Sequence, residues 1–297
     1  MSAPREGHPI SVEVIPYDEV FAPPLRPCGD HLSEGSYIER IYGQRLSCLI
    51  VRGAFSPESC EEASAKLSEP SRHWSEPNRG MKGGEIKTIG AAATPTFSSF
   101  TGPEEGAYLQ SARELESLKR ELFTELDPLS HLQELLSELA GGARARPPRY
   151  IKAGEELGAW VPFNYRALEP GEQIYSHHDA HYKLPIYEGF PAELDQHSAV
   201  SWFVTLQAPE AGGELTLYGL WGTDPNPPML PTRFIDTEAL ESSYLKERIK
   251  LETGDLVLFD SGRFVHRVTP VEGSVERITM GGFLTLSHDR SQLAFWS

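Results

Sequence analysis

The chain has 297 residues and sets 43 acidic side chains against 27 basic ones, a formal net charge of −16. A surface that acidic repels phosphate backbones and anionic headgroups, so nucleic acid and membrane surfaces are poor partners. No apolar run reaches the roughly 18 residues of a bilayer span, and no apolar stretch follows the first basic residue to make a secretory signal. Cys28, Cys48 and Cys60 are odd in number and lack metal-ligand spacing, which fits reduced thiols in a cytoplasmic protein.

Residues 1–36 are rich in Pro, Gly and charge and read as an irregular arm. The apolar run in RLSCLIVRGAF, residues 45–55, predicts a strand. Ser56 followed by Pro57 is an N-cap with proline at the first helical position, opening a helix to about Ser68. Clusters of Pro, Gly, Ser and Thr over 69–104 predict loop. Tyr108, Ala112, Leu115, Leu118, Leu122 and Leu126 then make one helical stripe over 107–126. Asp127 and Pro128 restart a helix with Leu129, Leu132, Leu135, Leu136 and Leu139 on its stripe, and Gly141-Gly142 stops it.

From about Arg146 the texture changes to short β-prone segments separated by turns: 160–168, 172–177, 199–206, 213–220, 256–260, 264–268 and 278–286. The pattern predicts a sandwich or barrel of antiparallel strands. The Pro-rich, then charged, insert 221–252 predicts a loop and short helix near the barrel mouth. The simplest organisation is one α+β domain over 1–297. Its first 145 residues are arm and helical support, and 146–297 are the β-rich catalytic core.

In YSHHDAHY, residues 175–182, a strand would turn His177 and Asp179 to one face and His178 to the other. A third ligand must come from far along the chain, and His266 in FVHRV lies on a later strand. Two imidazoles and one carboxylate leave open positions on the metal, the arrangement suited to non-haem Fe(II) that also takes a co-substrate and O2. The absence of thiolate ligands argues against structural zinc. H-x-D alone is a common tripeptide. Its weight here comes from the preceding turn and strand, EPGEQIYSH, and from the apolar strand before His266. Arg277 follows His266 across a short turn, VEGSVE, and could face the same cavity. A guanidinium there suits the distal carboxylate of 2-oxoglutarate through paired hydrogen bonds.

The H-x-D…H…R pattern resembles the Fe(II)/2-oxoglutarate oxygenases, which implies a double-stranded β-helix (jelly-roll, cupin-like) core. PEAGGELTLY, GDLVLFDSGRFVHRVTPV and GGFLTLSHDRSQLAFWS more specifically resemble the carrier-protein-independent halogenases of hapalindole and welwitindolinone alkaloid biosynthesis. The likeness is best from about Asn164 to Ser297. Those halogenases have a glycine where this chain has Asp179, and the missing carboxylate is what lets chloride reach their iron. By this resemblance His177 and His266 are the iron histidines, Arg277 is the co-substrate arginine, and Ser201 lines the site as a donor to a ligand or to bound oxygen. Weaker candidates are Tyr175, which should share a face with His177 and contact the co-substrate, and Asn164 and Arg166 on the preceding strand. His181 would line the substrate side. Trp160, Trp202, Trp221 and Trp296 read as core or mouth aromatics.

The implied reaction is hydroxylation of an unactivated C–H bond of a free small molecule, a natural-product intermediate or an amino-acid derivative, with succinate and CO2 as co-products. Desaturation or cyclisation would use the same residues. Two rivals stay open: a halogenase, and a non-catalytic cupin-like module that binds a metal. The oligomeric state is not written in the sequence.

Overall fold

The structure, a computed structural model, describes residues 7–22, 35–72, 74, 86–91, 103–179, 182, 184–196 and 199–297. In the first half, β1 (Val12–Pro16) and α1 (Tyr17–Val20) precede α2 (Tyr37–Tyr42), β2 (Cys48–Arg52) and α3 (Pro57–Leu67). Then come β3 (Lys87–Ile89), α4 (Pro103–Leu122), α5 (Pro128–Leu139), β4 (Arg144–Arg146), β5 (Arg149–Lys152) and β6 (Glu155–Ala159). The second half runs β7 (Asn164–Leu168), β8 (Ile174–His177), β9 (Val200–Gln207), β10 (Ala211–Gly212), β11 (Leu215–Trp221), α6 (Thr237–Ser243) and β12 (Lys246–Ile249). It ends with β13 (Leu256–Phe259), β14 (Phe264–Val268), β15 (Val271–Glu272), β16 (Arg277–Leu286) and β17 (Gln292–Trp296).

Local chemistry sets the helices. Ser56 Oγ accepts the Ser59 N–H with Pro57 in the first turn, so α3 opens where proline's missing donor costs nothing. Asp127 caps α5 the same way, before Pro128. At its far end the Gly142 N–H reaches the Ser137 carbonyl and the Gly141 N–H the Glu138 carbonyl, a Schellman closure. Both glycines stand at positive φ (+68° and +91°), which a side chain would resist. The predicted helix over 107–126 is displaced by four residues and ends at Leu122. Asp127 needs a non-helical backbone to cap the next helix, so the chain leaves the helix before reaching it.

Among the described residues, nine strands form the larger sheet, along the path β1-β2-β13-β9-β16-β17-β4, with β7 also on β16 and β3 on β7. The smaller sheet is β12-β11-β14-β8. The two sheets face each other as a double-stranded β-helix. Strand alternation divides the side chains. Leu49, Val51, Trp202, Val204, Leu256, Leu258, Ile278 and Met280 turn outward to a core shared with Leu67, Leu122, Leu132 and Leu136 from the helices. Cys48, Ile50, Val257 and Phe259 turn inward, against Leu215 and Leu217 of the smaller sheet. That inner cluster fills one end of the space between the sheets and leaves the other for polar residues.

Several elements differ from the sequence reading. The arm contains β1, paired in parallel with β2 in register Val12↔Cys48. The loop over 69–104 contains β3, and the insert contains the strand β12 besides the expected short helix, α6. The all-antiparallel expectation also fails for β17 with β4, a parallel pair. Cys28 lies outside the described residues, while Cys48 and Cys60 are buried and unbridged. No helix among the described residues is long and apolar enough to cross a membrane.

The helical buttress predicts an asymmetric response to truncation. Leu136→Ala, at a fully buried site, should lower unfolding free energy by about 2–5 kcal/mol in urea titration. Leu245→Ala, at a site 52% exposed, should change it by less than about 0.5 kcal/mol.

Candidate metal centre

Antiparallel pairing of β8 with β14 sets His177 directly opposite His266. Their rings lie 4.3 Å apart between centroids. Asp179 leaves the end of β8 and returns beneath them. Its Oδ1 is 3.7 Å from His177 Nε2 and its Oδ2 is 3.7 Å from His266 Nε2. One donor atom from each residue falls within 4.8 Å of the others. Asp179 and His266 are buried and His177 partly so.

The imidazoles are aimed by their own strands. His177 Nδ1 lies 2.7 Å from the Tyr175 carbonyl oxygen and His266 Nδ1 lies 3.0 Å from that of Phe264. A carbonyl can only accept, so each Nδ1 donates, and each Nε2 is left as a lone pair for a metal. Phe259 presses edge-on against the His266 ring at 4.9 Å. Ser201 Oγ, on β9, donates to Asp179 Oδ2 at 3.0 Å and shares a 2.7 Å hydrogen bond with Ser261 Oγ. The Asp179 N–H donates to the Ser261 carbonyl at 2.9 Å. The turn after β13 carries Ser261 and is pinned by a 2.7 Å ion pair between Asp260 and Arg263. Burial pushes the Asp260 carboxyl up to about 6, against the pull of Arg263.

The cavity in front of the triad is lined from both sheets by Arg166, Ile174, Phe203, Leu215, Val268 and Arg277, among others. Arg277 is 5% exposed. Burial pushes its guanidinium down to about 10, and the charge of Arg166 adds to the shift. It lies over the Phe203 ring at 4.9 Å, and no protein carboxylate among the described residues pairs with it. Burial also lowers Arg166, which the Asp179 charge counteracts. Its Nε donates to Asn164 Oδ1 at 3.0 Å. Asn164 is fully buried, and its Nδ2 finds no partner among the described residues. Two guanidinium groups in a low-dielectric cavity are costly to bury when the Asp179 carboxylate offsets only part of the cost at Arg166 and no carboxylate among the described residues pairs with Arg277. They fit a small dianion. Three ligands of hard and borderline type, with open space on the cavity side, fit Fe(II) chelated by such a dianion.

The sequence candidates separate in space. His177, Asp179, His266, Ser201 and Arg277 converge, and Arg166 joins them. Asn164 reaches the group through Arg166. Tyr175 does not line the cavity. It is 41% exposed, with its ring 6.5 Å from that of Phe234, and it meets the site through its carbonyl. His178 turns away to Gly222. His181 lies outside the described residues. Trp160, Trp202 and Trp296 belong to the helix-facing core, and Trp221 stacks on His8. Sequence reasoning gave Arg166 little weight, although it stands two residues from Leu168 on β7 and so shares its face, which lines the cavity. No sequence pattern singles out Ser261.

A double-stranded β-helix with two histidines and a carboxylate at one end, and a buried arginine deeper in, defines an Fe(II)/2-oxoglutarate oxygenase. Residues 27–297 match the family described as carrier-protein-independent halogenase WelO5, and the chain belongs to that family. No curated protein matches it in sequence. Among solved structures it is similar to an N-substituted L-amino acid dioxygenase from Burkholderia ambifaria in complex with α-ketoglutarate. That likeness has TM-score 0.51 and 17% identity over 88% of this chain and 90% of that one. HygX from Streptomyces hygroscopicus, with nickel and 2-oxoglutarate bound, is more distant, with TM-score 0.41 and 13% identity over 85% and 86%.

Metal binding should follow the face rule. His177→Ala and His266→Ala should each abolish stoichiometric Fe(II) binding in anaerobic calorimetry. His178→Ala, on the opposite face, should bind as the native protein does. Loss on His178→Ala with retention on His177→Ala would reverse the assignment.

Proposed function

We propose that the chain hydroxylates an unactivated C–H bond of a free small molecule, a natural-product intermediate or an amino-acid derivative. The whole chain acts as one unit, 1–145 supporting and 146–297 carrying the chemistry. The observation that carries this reading is Asp179. Its carboxylate stands within 3.7 Å of both imidazole Nε2 atoms, at the place the halide-binding relatives leave to glycine. Iron with 2-oxoglutarate and O2 supplies the oxidising power, and succinate and CO2 are the co-products.

The residues divide the remaining work. His177, Asp179 and His266 hold the metal by one cavity wall. Arg277 takes the distal carboxylate of 2-oxoglutarate, and Arg166 adds a second positive charge to the same dianion. Phe203, Leu215, Ile174 and Val268 exclude water around it, which strengthens the charged contacts. An amino-acid derivative is one substrate class worth testing first, being the kind named for the Burkholderia ambifaria dioxygenase. Family membership favours halogenation as the second reading. Product mass separates them: a gain of one oxygen supports hydroxylation, and a chlorine isotope pattern as the main product at high chloride overturns it.

Two variants test the assignments. Arg277→Ala should raise the 2-oxoglutarate requirement with Fe(II) affinity little changed, a loss of about 2–5 kcal/mol if the pair is desolvated. Arg277→Lys should recover part of it, since an ammonium lacks the planar fork. An unchanged 2-oxoglutarate dependence in the Ala variant would pass the anchoring role to Arg166. Asp179→Gly should keep weak metal binding, lose most hydroxylation and give at best a minor chlorinated product. Hydroxylation at the native rate in that variant would show that Asp179 is not a ligand.

A further inference from the structure

Helix α6 lies on the outer face of the smaller sheet, behind the two histidine strands. Thr237, Leu240 and Glu241 are spaced i, i+3 and i+4, so one face of the helix carries all three. Each meets a residue next to an imidazole. Thr237 Oγ1 shares a 2.9 Å hydrogen bond with Ser176, which precedes His177. Leu240 is fully buried in a cluster with Val265, which precedes His266. Glu241 Oε1 accepts from Arg267 Nη2 at 2.8 Å, and Arg267 follows His266. The same oxygen accepts from the Tyr218 hydroxyl on β11 at 2.6 Å, while Lys246 and Arg248 of β12 donate to Oε2. Neighbours of an inward residue on a strand point outward. The helix therefore grips the histidine strands by the side chains that the cavity does not use.

The grip matters because the ladder between these strands is thin. β8 and β14 share the register pairs His177↔His266 and Ile174↔Val268, with an irregularity between them. β8 is four residues long, and among the described residues it pairs with β14 alone. Its own sheet thus restrains it little, whereas a set of metal ligands has to be held to within about 0.5 Å. Arg267 is tied to the helix in turn. Its side chain is 12% exposed and its Nε finds no partner among the described residues, so Glu241 is its counter-charge.

We propose that α6 is a brace for the metal centre, with Thr237 and Glu241 as its positioning residues. They tie the strands of His177 and His266 to one helix and so hold the two imidazoles at ligating separation. The proposal rests on the reading of His177, Asp179 and His266 as metal ligands.

Co(II) is a probe that needs no turnover, and its visible absorption reports the geometry of its ligands. Arg267→Ala cuts the Glu241 tie to β14 and spares the other partners of that carboxylate. It should weaken Co(II) binding about tenfold, and Thr237→Val should weaken it about threefold, the scale of a charged and a neutral hydrogen bond. Each should alter the absorption of the bound ion. Thr237→Ser keeps the hydroxyl and should bind as the native protein does. Arg248→Ala removes another partner of Glu241, 52% exposed and on β12, and should leave Co(II) affinity and absorption native. The double variant Arg267→Ala/Thr237→Val should bind within about twofold of Arg267→Ala, because a brace cut at one end no longer joins the strands. Circular dichroism and urea titration of the metal-free proteins give the folded fraction. Each end has its own variant, so a poor fold in one leaves the other decisive. Native affinity and absorption in a folded Arg267→Ala or Thr237→Val protein would overturn the proposal, since α6 would then stabilise the sheet alone. So would fully multiplicative losses in the double variant, or a loss in Arg248→Ala equal to that in Arg267→Ala. Failure of the native protein to bind Co(II), or full binding by His266→Ala, would instead sink the reading of the site on which the proposal stands.

Discussion

The register between β8 and β14 is the constraint on which the rest of the site depends. Pairing of His266 with His177 brings the two imidazoles onto one face. A slip of one residue would turn His178 inward and His177 out, because side-chain direction alternates along a strand. Nothing within β8 resists such a slip, since it is a four-residue edge strand with one neighbour. The resistance comes from outside it. Ile174 is committed to an inner apolar cluster with Val268 and Leu168. Ser176, facing the other way, shares a 2.9 Å hydrogen bond with Thr237 at the start of α6. On the same outer face Arg267, adjacent to His266, pairs with Glu241 of α6 at 2.8 Å. The insert between β11 and β12 thus locks both histidine strands from behind.

The cost of the cavity explains the size of the support around it. Burial weakens the charged forms of Arg277 and Arg166, the charge of Arg166 adds to the cost at Arg277, and Asp179 offsets part of the cost at Arg166. The remainder of that cost is offset by stability gained elsewhere. Here the gain lies on the opposite face of the same strands. Ile278 and Met280 alternate with Arg277 and Thr279 on β16 and join the core shared with α3, α4 and α5. One strand therefore anchors the sheet with one set of side chains and presents the site with the other. The N-terminal helices stabilise the cavity without entering it.

Much of this organisation was readable from the chain because it is local. Ser56-Pro57, Asp127-Pro128 and Gly141-Gly142 each fix a helix end by their own chemistry, and the apolar run FVHRV delimits β14. The elements that escaped are those whose identity is supplied by a neighbour. β12, KERI, turns only Ile249 inward and reads as a charged surface segment until β11 pairs with it. β1 lies in a segment that reads as an arm and is a strand because β2 lies beside it. Within the site, period-two alternation places His177 and Asp179 together but gives direction without depth. Tyr175 is expected to share the direction of His177, but the pairing of β8 with β14 is irregular, two residue steps of β14 spanning three of β8, so Ile174 and His177 face the cavity and Tyr175 reaches solvent. Ser261 was illegible for the opposite reason. Its role arises wholly from three contacts made across the fold, to Ala199, Ser201 and Asp179.

Membership of a halogenase family and possession of an iron carboxylate are reconciled by where Asp179 is held. Its main chain is tied to the Ser261 carbonyl by its own N–H, a bond that any residue except proline can make at that position. The loop path is therefore independent of the side chain it carries. A glycine there would leave the same backbone, the same histidine register and the same buried arginines, with a vacant place on the metal. An aspartate fills that place and finds Ser201 already positioned to accept it as a partner. On the proposed reading the scaffold exchanges one ligand without rebuilding the site, and the chemistry turns on the group at residue 179. On that reading, the separation lets membership of the family over residues 27–297 go with the fold and cofactors while residue 179 distinguishes the reaction.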